Sequence, residues 1–156
     1  MDQELASSLI KKLQEKDLTI AVAESLTGGL IAANLTSIPG ASKVFKGSIT
    51  AYLDEIKQNV LNVKEETITN FTSISEQVAL EMAINVRKII KSDIGISATG
   101  VAGPEKSAGF APGLVFVAVS IDDHNMCQKL EITGDRTKIR NQTVQEILQL
   151  TLSRLV

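Results

Sequence analysis

The chain has few of the residues that metal and redox sites need. Its 156 residues include one cysteine, one histidine and no tryptophan. Cys127 alone cannot form a disulfide within the chain, and together with His124 it cannot supply the ligand set of a Cys/His zinc site. We therefore expect no metal centre of this kind.

Positive charge and aromatic rings are also scarce. The 16 basic and 18 acidic residues give a net charge of −2 and are spread along the chain, and aromatic residues make up 3% of it. Without a polycationic face or a base-stacking platform, we expect no direct nucleic-acid binding. The stretch MDQELASSLIKKLQEKD lacks the apolar run of a signal peptide or membrane span, which predicts a cytoplasmic protein that does not bind membranes.

Helical and extended patterns alternate along the chain. A hydrophobic content of 44% fits one compact domain, residues 1–156. The patterns predict helices at 5–17, 27–38, 54–63 (with Asp54 as N-cap), 73–91 and from about 135, and strands at 18–23, 44–53, 93–98, 113–121 and 125–132. The predicted fold class is therefore α/β: a three-layer α/β/α sandwich around a mostly parallel sheet that includes an antiparallel hairpin.

The stretch AVAESLTGGLIAANL, residues 21–35, passes from a strand into a helix through polar residues and glycines. In α/β folds ligands bind at such turns, where the first N–H groups of the helix are free. Glu24, Ser25 and Thr27 with Gly28 and Gly29 therefore predict a site for a phosphate or a developing oxyanion. The alternative is that Ser25 or Thr27 only caps the helix and the glycines only allow close packing.

A second glycine-rich loop, ATGVAGPEKSAGFAPG at residues 98–113, follows another predicted strand. Gly100 and Gly103 lie directly at the carboxyl end of that strand, which favours a ligand-facing loop over a mobile surface connection. Two such loops in one small domain support each other.

Three cations begin the last predicted helix, in TGDRTKIRNQT. Arg136, Lys138 and Arg140 oppose the helix dipole there, at a cost of about 0.3–1 kcal/mol each when exposed, and an anionic ligand would reverse that sign. Arg136 and Arg140 are four residues apart and share a face, so at least one could bind a phosphate through two bonds. The alternative is a solvated charged face.

Tyr52 and Lys57, in TAYLDEIK, are the remaining candidates for chemistry. Each alone fits an ordinary role, Tyr52 as an aromatic at the edge of the core and Lys57 as an exposed helix lysine. His124, however, lies in a predicted hairpin turn far from both glycine-rich loops, which argues against a Ser-His-Asp triad. If Ser25 is a nucleophile, a partly desolvated lysine is the available proton acceptor.

These motifs together resemble one family. AESLTGG, IPGASKVFKGSITAYLDEIKQNVLNV, SISEQVALEMA, ATGVAGP and GDRTKIR occur in the order and approximate spacing of the CinA C-terminal-domain family, over about residues 5–150. Its members are also called PncC-like nicotinamide-nucleotide amidases or competence/damage-inducible proteins. The resemblance implies a CinA-like (anticodon-binding-domain-like) α/β/α domain with a mixed five-stranded sheet, commonly a homodimer.

The resemblance also implies a reaction: hydrolysis of the carboxamide of nicotinamide mononucleotide to nicotinate mononucleotide and ammonia, in pyridine nucleotide (NAD) salvage, by chemistry that requires no metal or organic cofactor. Ser25 corresponds to the serine nucleophile, Lys57 to its general base and Tyr52 to a neighbour that positions or relays the proton. We expect N–H groups near Gly28 to stabilise the oxyanion. The expected substrate contacts are Glu24, Thr27, Gly28, Gly29, Ser42, Gly100, Ala102, Gly103 and Arg136 or Arg140.

The chain departs from the family pattern at three places. Leu26 stands where Cys or a small residue is usual, Leu53 and Asp54 replace two neutral polar residues, and loop 104–113 is shorter and differently ordered. In longer members the domain follows a nucleotide-pyrophosphatase-like domain, whose metal-dependent activity we do not expect of residues 1–156. The alternatives to an amidase are a catalytically silent nucleotide-binding module and an interaction protein for a competence or DNA-repair partner.

Overall fold

Residues 3–156 are described by a computed structural model, in which helices cover both faces of one sheet. Within these residues the α-helices are α1 Gln3–Lys16, α2 Leu30–Thr36, α3 Asp54–Asn59, α4 Glu65–Phe71, α5 Glu76–Ile90 and α6 Arg136–Arg154. The strands are β1 Ile20–Glu24, β2 Phe45–Thr50, β3 Ile94–Gly100, β4 Leu114–Ile121 and β5 His124–Glu131. The predicted domain also includes residues 1 and 2, which lie outside the described part.

The strands form one mixed sheet in the order β2-β1-β3-β4-β5. β1 pairs in parallel with β2 and with β3, whereas β4 is antiparallel to both β3 and β5. Four strands therefore share one direction and β4 runs against them. This confirms the predicted mixed, mostly parallel sheet with an antiparallel hairpin.

The core is divided between the two faces of the sheet. Because side chains alternate along a strand, Ile20 and Val22 of β1 pack with α1, α2 and α6, whereas Ala21 and Ala23 pack against α5 on the other face. All five residues of β1 are buried. The central strand thus separates two apolar layers, which confirms the α/β/α sandwich.

The candidate site lies at the end of the sheet where β1, β2, β3 and β5 terminate. These four strands share a direction, so their carboxyl ends meet there. The segments that follow them carry Ser25, Tyr52, the 100–113 loop and Arg136, respectively. Ligands of open α/β sheets bind at this kind of edge.

Ser42 and His124 lie at the other end of the sheet, where β2 and β5 begin. Ser42 is in a short 3-10 helix, Ala41–Lys43, that precedes β2, and His124 is the first residue of β5. The position of His124 agrees with its predicted distance from the glycine-rich loops. The prediction that Ser42 contacts substrate is wrong for the cleft of its own chain, because Ser42 comes before a strand whose other end points toward the site.

Candidate active site

A cleft of about 790 Å³ opens at the end of the sheet where β1, β2, β3 and β5 terminate. A volume of this size is typical of small-molecule sites. The predicted site residues that line it are Ser25, Tyr52, Lys57, Gly100, Ala102, Gly103 and Arg136. The other lining residues are Leu26, Leu53, Asp54, Ser73, Ile74, Thr99, Val101, Pro104, Glu105, Ser107 and Ala108.

Ser25 is the first residue after β1. Its N–H donates to the carbonyl oxygen of Ala98 in β3 at 3.0 Å, so the hydrogen bonding of the sheet continues one residue beyond the strand. The residue is 7% exposed. The sheet therefore fixes the backbone that carries the Ser25 hydroxyl.

Lys57 lies on α3 and reaches Ser25 from across the cleft. Its side chain is only 2% exposed, and its Nζ donates to Ser25 Oγ at 3.0 Å and to the carbonyl oxygen of Tyr52 at 3.1 Å. Lysine is almost never buried this far without a strong charge partner. The nearest carboxylate oxygen, Asp54 Oδ1, is 3.8 Å from Nζ.

Burial makes the neutral form of Lys57 easier to reach than it is for an exposed lysine. Burial lowers the pKa of its ammonium group below the ordinary value of 10.5, because a charge loses hydration there, and the Asp54 carboxylate opposes part of this shift. A lysine amine accepts a proton only when it is neutral. The site can therefore supply a base directly beside the Ser25 hydroxyl.

Contrary to the sequence prediction, Asp54 is not the N-cap residue of its helix. Leu53, in an extended conformation, holds the N-cap position, and Asp54 is the first residue of α3. Its carboxylate is directed along the helix to Lys57, three residues later. Asp54 is not among the predicted site residues, although its i, i+3 spacing from Lys57 could have revealed the pair.

Glu24 is fully buried and caps α2 rather than facing the cleft. Its carboxylate accepts hydrogen bonds from the N–H groups of Gly29 at 3.1 Å, Ile31 at 3.0 Å and Ala32 at 2.9 Å. A glutamate from the preceding strand thus satisfies N–H groups that begin the helix. These three N–H groups are therefore not free for the phosphate or oxyanion predicted at this turn.

Thr27, Gly28 and Gly29 shape the turn after Ser25 and are not among the residues that line the cleft. Gly28 and Gly29 have φ values of +57° and +102°, which glycine adopts without strain. The Gly28 N–H donates to the Ser25 carbonyl oxygen at 3.0 Å, so it is not free for an oxyanion. Thr27 is buried, and its hydroxyl has no hydrogen-bond partner among the described residues.

The two arginines of α6 point to different groups. Arg140 donates to the carbonyl oxygens of Leu26 at 3.0 Å and Thr27 at 2.9 Å. Arg136 donates to the Gly103 carbonyl oxygen at 2.7 Å and to the Tyr52 hydroxyl at 3.1 Å, and it lines the cleft. Of the two, Arg136 is the one placed to meet a ligand.

Tyr52 contributes two groups at the cleft mouth. Its carbonyl oxygen accepts from Lys57, while its hydroxyl accepts from Arg136, and the residue is 54% exposed. The contact with Lys57 is therefore made by the backbone of Tyr52. The hydroxyl, which the resemblance assigns to proton relay, is bonded to the arginine instead.

The second glycine-rich loop is held at both ends. The N–H of Val101 donates to the Leu114 carbonyl oxygen at 2.9 Å, and that of Gly113 donates to the Val101 carbonyl oxygen at 2.8 Å. At Gly100 a Cβ would lie 2.6 Å from the Leu114 carbonyl oxygen, so a side chain does not fit. This anchoring favours the ligand-facing interpretation over the mobile connection.

Two further polar residues that line the cleft, Thr99 and Ser73, are not among the predicted site residues. Thr99 is buried and donates through its hydroxyl to the carbonyl oxygen of Ser73 at 2.8 Å, which joins β3 to the segment before α5. The only sequence signal for Thr99 was its place directly before Gly100. The sequence carries no such signal for Ser73, because its segment, between α4 and α5, is far along the chain from both glycine-rich loops.

Residues 3–156 contain no group of three or more His, Cys, Asp or Glu side chains that could hold a metal ion. Burial raises the pKa of the Cys127 thiol to about 12. In the same part of the chain no helix is long and apolar enough to cross a membrane.

The fold and the cleft together define an α/β domain with a buried serine–lysine pair in a cleft at the carboxyl ends of its strands. The family description "CinA C-terminal domain" matches residues 2–155. The chain therefore belongs to the CinA C-terminal domain family, which confirms the resemblance.

Similar proteins agree with this assignment. A CinA-like protein of Dictyoglomus turgidum is 46% identical over 147 residues, which cover 94% of this chain and 36% of that protein. The chain spans about a third of the length of the curated relatives it matches.

Solved structures match over nearly the whole chain. The structure of a competence or damage-inducible protein from Enterobacter asburiae has a TM-score of 0.96 and 32% identity, covering 99% of this chain and 98% of that one. The competence/damage inducible protein CihA from Agrobacterium tumefaciens has a TM-score of 0.93 and 35% identity, with coverages of 98% and 94%.

Proposed function

We propose that the chain hydrolyses the carboxamide of nicotinamide mononucleotide, with Ser25 as nucleophile and Lys57 as general base. The observation that carries this proposal is the 3.0 Å hydrogen bond between Lys57 Nζ and Ser25 Oγ in the cleft. A serine hydroxyl becomes a good nucleophile when an adjacent base takes its proton, and a desolvated lysine is such a base. The choice of substrate comes from the family resemblance.

The proposed reaction proceeds in two halves. Neutral Lys57 takes the Ser25 proton while Oγ attacks the carboxamide carbon, which forms a C–O bond and an oxyanion. Lys57 then gives the proton to the leaving nitrogen, the C–N bond breaks and ammonia departs. Water, deprotonated by the same amine, attacks the acyl-serine and releases nicotinate mononucleotide, and the proton returns to Ser25.

The backbone N–H of Leu26 is our proposed donor to the oxyanion. It directly follows the nucleophile, and no described residue accepts a hydrogen bond from it. The residue after the nucleophile supplies such a donor in hydrolases with a tight strand-to-helix turn. The bulky Leu26 side chain is accommodated because it is buried in the core, with 4% of the residue exposed.

Arg136 is our proposed contact for the phosphate of the nucleotide. Its guanidinium has five N–H groups, of which the bonds to Gly103 and Tyr52 use two. The remaining donors can bind phosphate oxygens at the cleft mouth, where the guanidinium is exposed. Arg136 lines the same cleft as Ser25 and Lys57, so we propose that a nucleotide bound by its phosphate at Arg136 presents its ring to this pair.

The test is ammonia release from nicotinamide mononucleotide and from its riboside, measured with the purified chain. We expect release from the nucleotide with a clear preference over the riboside, because only the nucleotide carries a phosphate for Arg136. Release from neither compound would overturn the proposal. If the nucleotide then still binds, in calorimetry for instance, the silent binding module becomes the better account.

A further inference from the structure

We propose that Arg140 is a positioning residue, which holds the turn carrying Ser25 in its reactive arrangement. Its kinetic consequence rests on the amidase function proposed above. Nε of Arg140 donates to the Leu26 carbonyl oxygen at 3.0 Å, and a terminal nitrogen donates to the Thr27 carbonyl oxygen at 2.9 Å. These are the two residues directly after the nucleophile. Arg140 is not among the residues that line the cleft, so it acts through the turn.

Holding these carbonyl groups also orients the neighbouring N–H groups. In a planar trans peptide unit the C=O and the following N–H point in opposite directions. With the Leu26 carbonyl directed to Arg140, the N–H of Thr27 is turned away from α6. The carbonyl of Ser25 is held separately by the Gly28 N–H at 3.0 Å. The carbonyl groups of Ser25, Leu26 and Thr27 are thus all held by hydrogen bonds. The first of these three peptide units carries the Leu26 N–H.

The surroundings of Arg140 indicate that these bonds are its main role. It is half-buried, and no ion pair with a carboxylate is found for it among residues 3–156. Its charge is met by neutral carbonyl groups instead. A Cβ added at Gly28 would lie 3.5 Å from a terminal nitrogen of Arg140, so the guanidinium lies directly against the turn. The planar fork of arginine suits two adjacent carbonyl oxygens, whereas the single ammonium of lysine does not reproduce it.

Arg136 provides a matched comparison on the same helix. Arg136 is also an arginine and lies on the same face of α6, one turn before Arg140. It donates, however, to the Gly103 carbonyl oxygen and to the Tyr52 hydroxyl at the cleft. We therefore expect the two arginines to affect different kinetic constants. Loss of the Arg136 guanidinium should weaken nucleotide binding, whereas loss of the Arg140 guanidinium should shift the position of the Ser25 hydroxyl.

The kinetic test compares Arg140→Lys with Arg136→Lys, both of which keep the positive charge. For Arg140→Lys we expect kcat for ammonia release to fall by about 10- to 100-fold while KM stays within about twofold, because a slightly misplaced nucleophile is costly. Arg136→Lys should mainly raise KM. Lys138→Gln, which removes a charge from the same helix turn outside the cleft, is the control and should leave both constants unchanged.

A second measurement needs no turnover. Amide hydrogen exchange at Gly28 and Gly29 reports the turn directly, because both N–H groups are bonded within it. We expect faster exchange at both amides in Arg140→Lys, with exchange in β3 unchanged as the internal reference.

The two measurements separate this inference from the proposed function. An unchanged exchange rate at Gly28, or faster exchange with an unchanged kcat, would overturn the positioning role of Arg140. If the wild-type chain releases no ammonia, the amidase proposal fails, and the exchange experiment still decides whether Arg140 holds the turn. Partial recovery of kcat in Arg140→Ala on adding guanidinium would support the role, since a merely unstable variant would not recover in a denaturant.

Discussion

Lys57 Nζ lies 3.0 Å from Ser25 Oγ although 32 positions separate the two residues in the chain. The contact follows from the strand order, because β1 and β2 are parallel neighbours and the segments after them therefore start side by side at the same end of the sheet. α3 then brings Lys57 back over the end of β1. Strand topology, rather than a local motif, thus creates the pair.

Replacing the base should separate activity from stability. We expect Lys57→Met to lower kcat for ammonia release by about 10²- to 10⁴-fold, because Lys57 is the one side chain among residues 3–156 that hydrogen-bonds the Ser25 hydroxyl. The free energy of unfolding, measured in urea, should stay the same or rise, because the variant no longer buries an amine. A kcat within tenfold of wild type would show that Lys57 is not the base.

The pH dependence should report the titration of Lys57. Its pKa is lowered by burial, so kcat/KM should rise with pH and level off below the ordinary lysine value of 10.5. The Asp54 carboxylate favours the charged ammonium and so raises this pKa. In Asp54→Asn the rise in kcat/KM should therefore move to lower pH.

Glu55→Gln is the matched control for this shift. Glu55 is also acidic, exposed and in the first turn of α3, but it forms no ion pair with Lys57. Its pH profile should coincide with that of the wild type. A profile of Asp54→Asn that stays in place, or moves to higher pH, would contradict the electrostatic account.

Glu24→Gln tests whether Glu24 is a cap or a substrate contact. Glutamine keeps only one acceptor oxygen for three N–H donors, so we expect a loss of about 1.5–3 kcal/mol in the free energy of unfolding. KM should change little, because Glu24 does not line the cleft. Glu131→Gln, at a highly exposed glutamate, is the control and should be nearly neutral. Unchanged stability with a raised KM would restore the substrate role that the resemblance implies.

Gly100→Ala should disturb the second loop from within. The added Cβ would lie 2.6 Å from the Leu114 carbonyl oxygen and 2.8 Å from Val115 Cα, so the backbone must move. We expect a loss of about 1–3 kcal/mol in stability and a raised KM, because the displaced loop lines the cleft. Thermal unfolding and steady-state kinetics measure the two effects, and a variant with wild-type values of both would show that the loop tolerates a side chain here.

The layers of the fold could be predicted because they depend on patterns that the chain displays. The apolar run of β1 and the alternation of strands with helices led to the three layers and to the mostly parallel sheet. The short helix α4 was missed because its residues, EETITNF, include two threonines and an asparagine, which are weak helix formers. A distant residue supports it, since the Glu81 carboxylate accepts from the Lys64 N–H at 2.9 Å and from the Thr67 hydroxyl.

The contact between Ser25 and Lys57 was predictable for a different reason. With His124 far away, Lys57 was the available base for Ser25, and the structure brings these two residues together. The roles of Glu24 and Arg140 were not predictable, because their partners are backbone N–H and carbonyl groups. Every residue carries such groups, so the sequence does not distinguish a carboxylate that caps a helix, or an arginine that holds a turn, from one that binds a ligand.

The most direct test of the account is the rate of ammonia release from nicotinamide mononucleotide by Ser25→Ala, measured beside wild type and Ser8→Ala. Ser8 is an exposed serine on α1, so its variant controls for the loss of a hydroxyl elsewhere. We predict release by wild type and Ser8→Ala at equal rates, and none above background by Ser25→Ala. Undiminished release by Ser25→Ala would contradict the central claim that Ser25, activated by Lys57, is the nucleophile.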